Sequence, residues 1–145
     1  MVNFTLEKVD AVAAEAEELI AEANTGEDKV SINLAAYSEV QRAGSLLLFG
    51  MRLLDGKLIG LCSMIVQDHM QHSGKVMAWQ DFIYVLREHR GGHVPYFLNA
   101  IDLILTVLGV QRVHRTVASK DYGPLLQTLG YEPKYRIYLK DLNNG

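Results

Sequence analysis

Residues 81–95, Asp-Phe-Ile-Tyr-Val-Leu-Arg-Glu-His-Arg-Gly-Gly-His-Val-Pro, constrain the fold of this chain more than any other stretch. A short apolar strand runs into a basic turn with two glycines, and an amphipathic helix begins at once. That order leaves backbone N–H groups pointing outward at the positive end of a helix dipole. Such a seat favours an anion, and phosphate is its usual guest. The sequence therefore predicts a strand–turn–helix unit that holds a phosphate-bearing small molecule.

The remaining composition narrows the setting. The 145 residues are 49% hydrophobic, which suits one compact domain spanning 1–145 with a sizeable core. The formal net charge of −3 speaks against a general nucleic-acid binder, which would carry a basic excess. No apolar run reaches the roughly 18 residues of a membrane span. The start, Met1-Val-Asn-Phe-Thr5, lacks the charged-then-apolar layout of a signal peptide, so a cytoplasmic protein is expected. The lone Cys62 lies within the apolar run Leu58–Val66 and reads as a small core residue rather than a nucleophile.

Periodicity orders the elements. Val2–Phe4 reads as a short first strand. Leu6, Val9, Ala13, Ala16, Ile20 and Ala23 then recur at helical spacing, with Thr5 as the expected cap. Ile32–Arg42 reads as a second, shorter helix. Ser45–Leu54 and Lys57–Val66 are apolar runs joined by Asp55-Gly56, a hairpin signal that favours a type I′ turn. Asp68–Lys75 is a polar loop and Val76–Leu86 a third strand. Val94–Leu108 is the main helix, with Gly109 placed to end it. Arg112–Ala118 reads as a strand, Tyr122–Leu129 as a short helix closed by Gly130, and Tyr131–Leu142 as one or two final strands.

Two of these segments carry a family likeness. Arg90-Gly91-Gly92-His93-Val94-Pro95 after an apolar strand resembles the Arg/Gln-Gly-x-Gly-x-Gly/Ala turn of the GNAT superfamily of acyl-CoA N-acyltransferases. Ser119 to Tyr131, ending Leu129-Gly-Tyr, is similar to that family's short helix ending in Leu-Gly-Phe/Tyr. The ending also resembles that of small GNAT proteins encoded by bacteriophages. The resemblance implies an α/β fold: a central mixed sheet of about six or seven strands flanked by about four helices, split between the strand before the main helix and the strand after it. It implies an N-acetyltransferase that uses acetyl-CoA as co-substrate, an amine acceptor of unknown identity, and a homodimer as a further option. Pantetheine would bond the edge at Ile83, Tyr84 and Val85. The diphosphate would rest on Arg90, Gly91, Gly92, His93 and Val94. Ser119 stands where the family often has an asparagine against the pantetheine arm; capping the short helix is its other reading.

The chain departs from the family pattern at three places. His93 and Pro95 replace glycines. Pro95 has no N–H to offer, and one lost donor to a charged group costs about 1.5–3 kcal/mol. Leu126 stands where many members carry a tyrosine acid for the departing thiolate, and Tyr122, one helical turn earlier, is the substitute. Asp81 is the candidate base, matching a family glutamate that works through water; a carboxylate facing solvent or paired with an arginine is the alternative. His69 and His72 read as loop residues rather than metal ligands, and no metal is expected. The departures leave a second function open, a catalytically degenerate GNAT-like domain acting as a binding or structural module.

Overall fold

In the computed structural model, which describes residues 1–24, 32–116, 122–135 and 137–142, alternating and continuous apolar runs become strands as expected. The order is β1 (Val2–Glu7), α1 (Val9–Val12), α2 (Glu17–Ala23), α3 (Leu34–Arg42), β2 (Leu46–Leu53), β3 (Leu58–Asp68), β4 (Val76–Val85), a 3-10 turn (Arg87–His89), α4 (His93–Val107), β5 (Arg112–His114) and α5 (Tyr122–Thr128). The strands form one mixed sheet in the order β1-β2-β3-β4-β5. The first four are antiparallel meander neighbours, and β5 joins β4 in parallel after the α4 crossover.

Strand register assigns each side chain to a face. Leu48, Ser63 and Phe82 pair across β2, β3 and β4 on one face, with Leu61 two residues along from Ser63. Helices α1 to α3 cover that face. On the other face lie Phe49, Met51, Cys62 and Met64, all essentially sealed from solvent. There α4 supplies Phe97, Leu98, Ile101 and Leu105 at helical spacing. The Phe97 ring stacks on Phe4 of β1 with centroids 5.6 Å apart.

Several expectations change in detail, each for a local reason. Thr5 does not cap a helix; it extends β1, and its hydroxyl donates to Glu7 Oε1 at 2.9 Å. The first helix is broken at 13–16, and its buried residues are Val9, Val12, Ala16 and Leu19, while Leu6 is exposed. Gln41 of α3 replaces the missing cap: its amide accepts from Val9 N at 2.9 Å and donates to Glu7 O at 2.8 Å. The β2–β3 turn is not type I′, because only Gly56 has positive φ. Gly56 N donates to Leu53 O, and Leu53 N donates to Lys57 O, so a type I turn ends in a glycine bulge.

The sheet has five strands among the described residues, fewer than the six or seven expected. Residues 131–135 and 137–142 form no strand, and Tyr135, Ile137, Tyr138, Leu139 and Leu142 are exposed. Alternation of apolar and basic residues marks strand potential, but a strand also needs a paired edge. The edge on offer, β5, is only three residues long.

The β4–β5 ladder ends at Trp79↔His114. Those two rings stack with centroids 4.0 Å apart and an interplanar angle of 11°. Burial, then the nearby Arg112 charge, holds the His114 pKa below its ordinary 6.5. Its ring therefore takes up its proton at a lower pH than an ordinary imidazole. Trp79 is the sole tryptophan, and a protonated imidazole quenches indole emission. Fluorescence is expected to fall with a midpoint below pH 6.5, and His114→Phe is expected to remove the transition. In the core, Phe97→Ala removes a fully buried ring and is expected to cost about 3–5 kcal/mol, read from urea unfolding.

Candidate active site

One residue too many in β4 creates the site. Met64 of β3 pairs with Gln80 and the next residue back, Ser63, pairs with Phe82, so Asp81 has no partner of its own. An inserted residue of this kind bends its strand and re-aims a side chain. Before the insertion Trp79 shares a face with Ile65; after it Phe82 shares that same face with Ser63. The switch from odd to even numbering puts Asp81 at the point where the face changes parity.

Its carboxylate is held there by two hydroxyls. Ser63, itself completely buried, donates to Asp81 Oδ2 at 2.8 Å, and the Tyr37 phenol of α3 donates to the same oxygen at 2.5 Å. Asp81 Oδ1 accepts nothing from the described residues. Burial, and after it the carboxylate, pushes the Tyr37 pKa up to about 12. The phenol thus stays a donor across the working pH range. Asp81 is exposed, as the alternative reading expected, but pairs with no arginine among the described residues. Neither Tyr37 nor Ser63 stood out in the sequence. Ser63 left one trace, a lone hydroxyl inside a continuous apolar run, which must find a partner if buried. Nothing in the spacing linked Tyr37 to a strand 44 residues away.

Beyond Trp79 no strand among the described residues pairs with this edge of β4. Leu86 N donates across to Ile59 O of β3, so by ladder alternation the backbone groups of Ile83 and Val85 face the other way, toward the gap beside β5. Arg90 folds back onto this edge: its Nε donates to Val85 O at 2.8 Å and its guanidinium lies 4.9 Å from the Tyr84 ring centre. The Tyr84 hydroxyl donates to Glu22 Oε2 at 2.9 Å, and the same oxygen accepts from Arg87 N at 3.0 Å. The Arg87 N–H, with further help from Tyr84, draws the Glu22 pKa below the usual carboxylate value. One carboxylate from α2 therefore fixes both the end of β4 and the start of the turn.

The turn ends at Gly92, the N-cap of α4, where no side chain caps the helix. The N–H groups of Gly92, His93 and Val94 are the ones a helix start leaves without intrahelical acceptors. Pro95, third in the helix, contributes none. A Cβ at Gly91 or Gly92 would meet no protein atom within 4 Å, and Gly92 has φ −83°. Their value lies in the bare approach they leave to the amides, not in an unusual backbone conformation. His93 is half-buried at the first helical position.

Ser119 lies outside the described residues. Tyr122 opens α5, and Leu126, at the family's tyrosine position, is buried in the core. On the α4 face Arg115 is nearly sealed, at 1% side-chain exposure. It donates to Gln80 Oε1 at 2.6 Å, Asp102 Oδ1 at 2.9 Å and the Tyr131 hydroxyl at 2.9 Å. This network ties β4, α4 and the chain after α5 together below the gap. Burial raises the adjacent Cys62 thiol to about 11, which leaves it a poor nucleophile. His69 and His72 stack edge-on in their loop, and no cluster able to hold a metal exists among the described residues. Nor is any described helix long and apolar enough to cross a membrane.

This architecture is that of the GNAT acetyltransferases. The chain superposes on an acetyltransferase of Trypanosoma brucei with a TM-score of 0.78 at 16% identity, covering 98% of this chain and 100% of that one. A ribosomal-protein-alanine N-acetyltransferase from Brucella melitensis gives 0.77 at 16% identity, covering 99% and 100%. A predicted acetyltransferase from Clostridium acetobutylicum, solved with acetyl-CoA, gives 0.75 at 12% identity, covering 98% and 97%. No family model matches the sequence, and no curated protein matches it significantly.

The raised Tyr37 pKa predicts a late ionisation. A phenol whose folded pKa exceeds its unfolded value adds stability fully present below about pH 10 and lost as pH rises through about 12. In a rapid alkaline pH jump followed at 295 nm, Tyr37→Phe is expected to remove amplitude from the phase near pH 12 and none from the phase near pH 10.

Proposed function

We propose that this protein is an acetyl-CoA-dependent N-acetyltransferase that joins acetyl-CoA and an amine in one ternary complex. One observation carries the reading: the bulged Asp81 stands where the β4–β5 ladder opens, on the same strand that leads into the uncapped start of α4. A diphosphate seat, a free strand edge and a carboxylate thus follow one another along a single path.

In this reading the diphosphate rests on the amides of Gly91, Gly92, His93 and Val94, with Arg90 and His93 beside it. Pantetheine takes the edge at Ile83 and Val85, while the backbone groups of Tyr84, expected there too, turn to Leu61 of β3, and Ser119 meets its arm. Arg90 must give up Val85 O for that contact, and a diphosphate is the charge that would draw its guanidinium away. The amine nitrogen attacks the thioester carbonyl carbon; the C–N bond forms and the C–S bond breaks. Asp81 takes the amine proton, and Tyr122 returns a proton to the thiolate. Holding the two reactants together supplies most of the acceleration, with the base contributing about 10²–10⁴-fold. Tyr37 and Ser63 orient the base through Oδ2 and leave Oδ1 toward the amine.

Fold neighbours acetylate acceptors as different as glucosamine 6-phosphate and a ribosomal-protein alanine by their descriptions, so the fold alone selects no acceptor. A second reading, binding without catalysis, is favoured by Leu126, whose burial leaves no hydroxyl at the family's acid position. Calorimetry with acetyl-CoA and a mass-spectrometric transfer assay separate the two. Micromolar to sub-millimolar binding is expected, with Asp81→Asn lowering kcat by 10²-fold or more and sparing acetyl-CoA affinity. Binding with no transfer to any amine would favour the second reading, and no binding would end the enzyme reading.

A further inference from the structure

Between the sheet and its α1–α3 cover lies a cavity of about 350 Å³, lined by Val12, Ile20, Leu48, Leu61 and Phe82 among others. That volume lies within the ~300–1,000 Å³ range of small-molecule sites. Its polar members are few. Tyr37 and Ser63 sit at one place on the wall, the two residues that grip Asp81 Oδ2, and Glu17 is the remaining ionisable group. The hydroxyls of a sugar or the repeated amines of a polyamine would lose water here without gaining partners. A flat or branched hydrocarbon would lose nothing, and an ammonium at its end would meet Tyr37 and Ser63, the two hydroxyls that hold Asp81.

We infer that this cavity is the acceptor site and that it takes a compact apolar primary amine, an arylalkylamine in size and polarity. The inference rests on the acetyltransferase reading and adds to it the class of acceptor. The orientation that serves transfer puts the ring against Leu48, Leu61 and Phe82 and the amine at the Tyr37–Ser63 end, next to the carboxylate those two hydroxyls hold; Glu17 is the other charge on the lining. Helix α3 sets the size of the cavity, because Gln41 pins it to the β1–α1 junction while Tyr37 pins it to the bulge.

The test measures acetyl transfer from acetyl-CoA to 2-phenylethylamine and tryptamine beside spermidine, kanamycin and glucosamine 6-phosphate, with acetyl-CoA affinity followed by calorimetry. The arylalkylamines are expected to show kcat/KM at least tenfold above the polar amines. Ala13→Phe, which fills the cavity, and Leu34→Lys, which puts a charge at its half-exposed rim, are each expected to raise the KM for 2-phenylethylamine tenfold or more with acetyl-CoA affinity unchanged. Leu34 begins α3 and is 46% exposed, so its variant keeps the fold even where Ala13→Phe does not. Preference for a polar amine, or a Leu34→Lys enzyme with an unaltered KM, overturns the acceptor class while leaving the acetyltransferase reading intact. Absence of acetyl-CoA binding overturns both.

Discussion

A single unpaired residue in β4 governs the rest of the site. Because Asp81 has no partner across β3, the strand changes which of its residues face α1–α3 just past Trp79, where its ladder with β5 ends. The parity change accounts for Asp81 and Phe82 both serving the same side. Strip the insertion out and Phe82 and Tyr84 would swap faces with their neighbours, carrying Tyr84 away from Glu22 and Phe82 out of the cavity. The clamp, the cavity wall and the carboxylate are thus consequences of one register shift.

Two structural ties keep that shift in place. On one face, Tyr37 and Ser63 hold the carboxylate from a helix and from the neighbouring strand. On the other, the nearly sealed Arg115 binds Gln80, one residue before the insertion, together with Asp102 of α4 and Tyr131. Removing one partner from a buried charge network is costly because the other charge stays behind without compensation. The bulge therefore sits between two anchored neighbours, and its geometry is set by both layers of the fold at once.

What the sequence revealed follows from how local each signal was. The runs at 46–53, 58–68 and 76–85 and the helix at 93–107 declared themselves through periodicity and through the glycines that end them, since those signals depend on neighbours a few residues away. The glycine turn also announced the uncapped start of α4. The bulge did not, because an inserted residue is visible only against its partner strand. Tyr37 was hidden for the same reason, as its partner lies on another element. The expected final strands show the converse: the 131–142 alternation is a local property, but pairing is a property of two strands, and β5 is too short to supply the second.

Arg90 has a consequence unrelated to any ligand. An unpaired strand edge is an invitation to foreign strands, and long exposed edges are where β-rich chains begin to stick together. Here the Arg90 guanidinium covers the Val85 carbonyl. A foreign strand approaching that seam finds one acceptor already taken and a positive charge in its way.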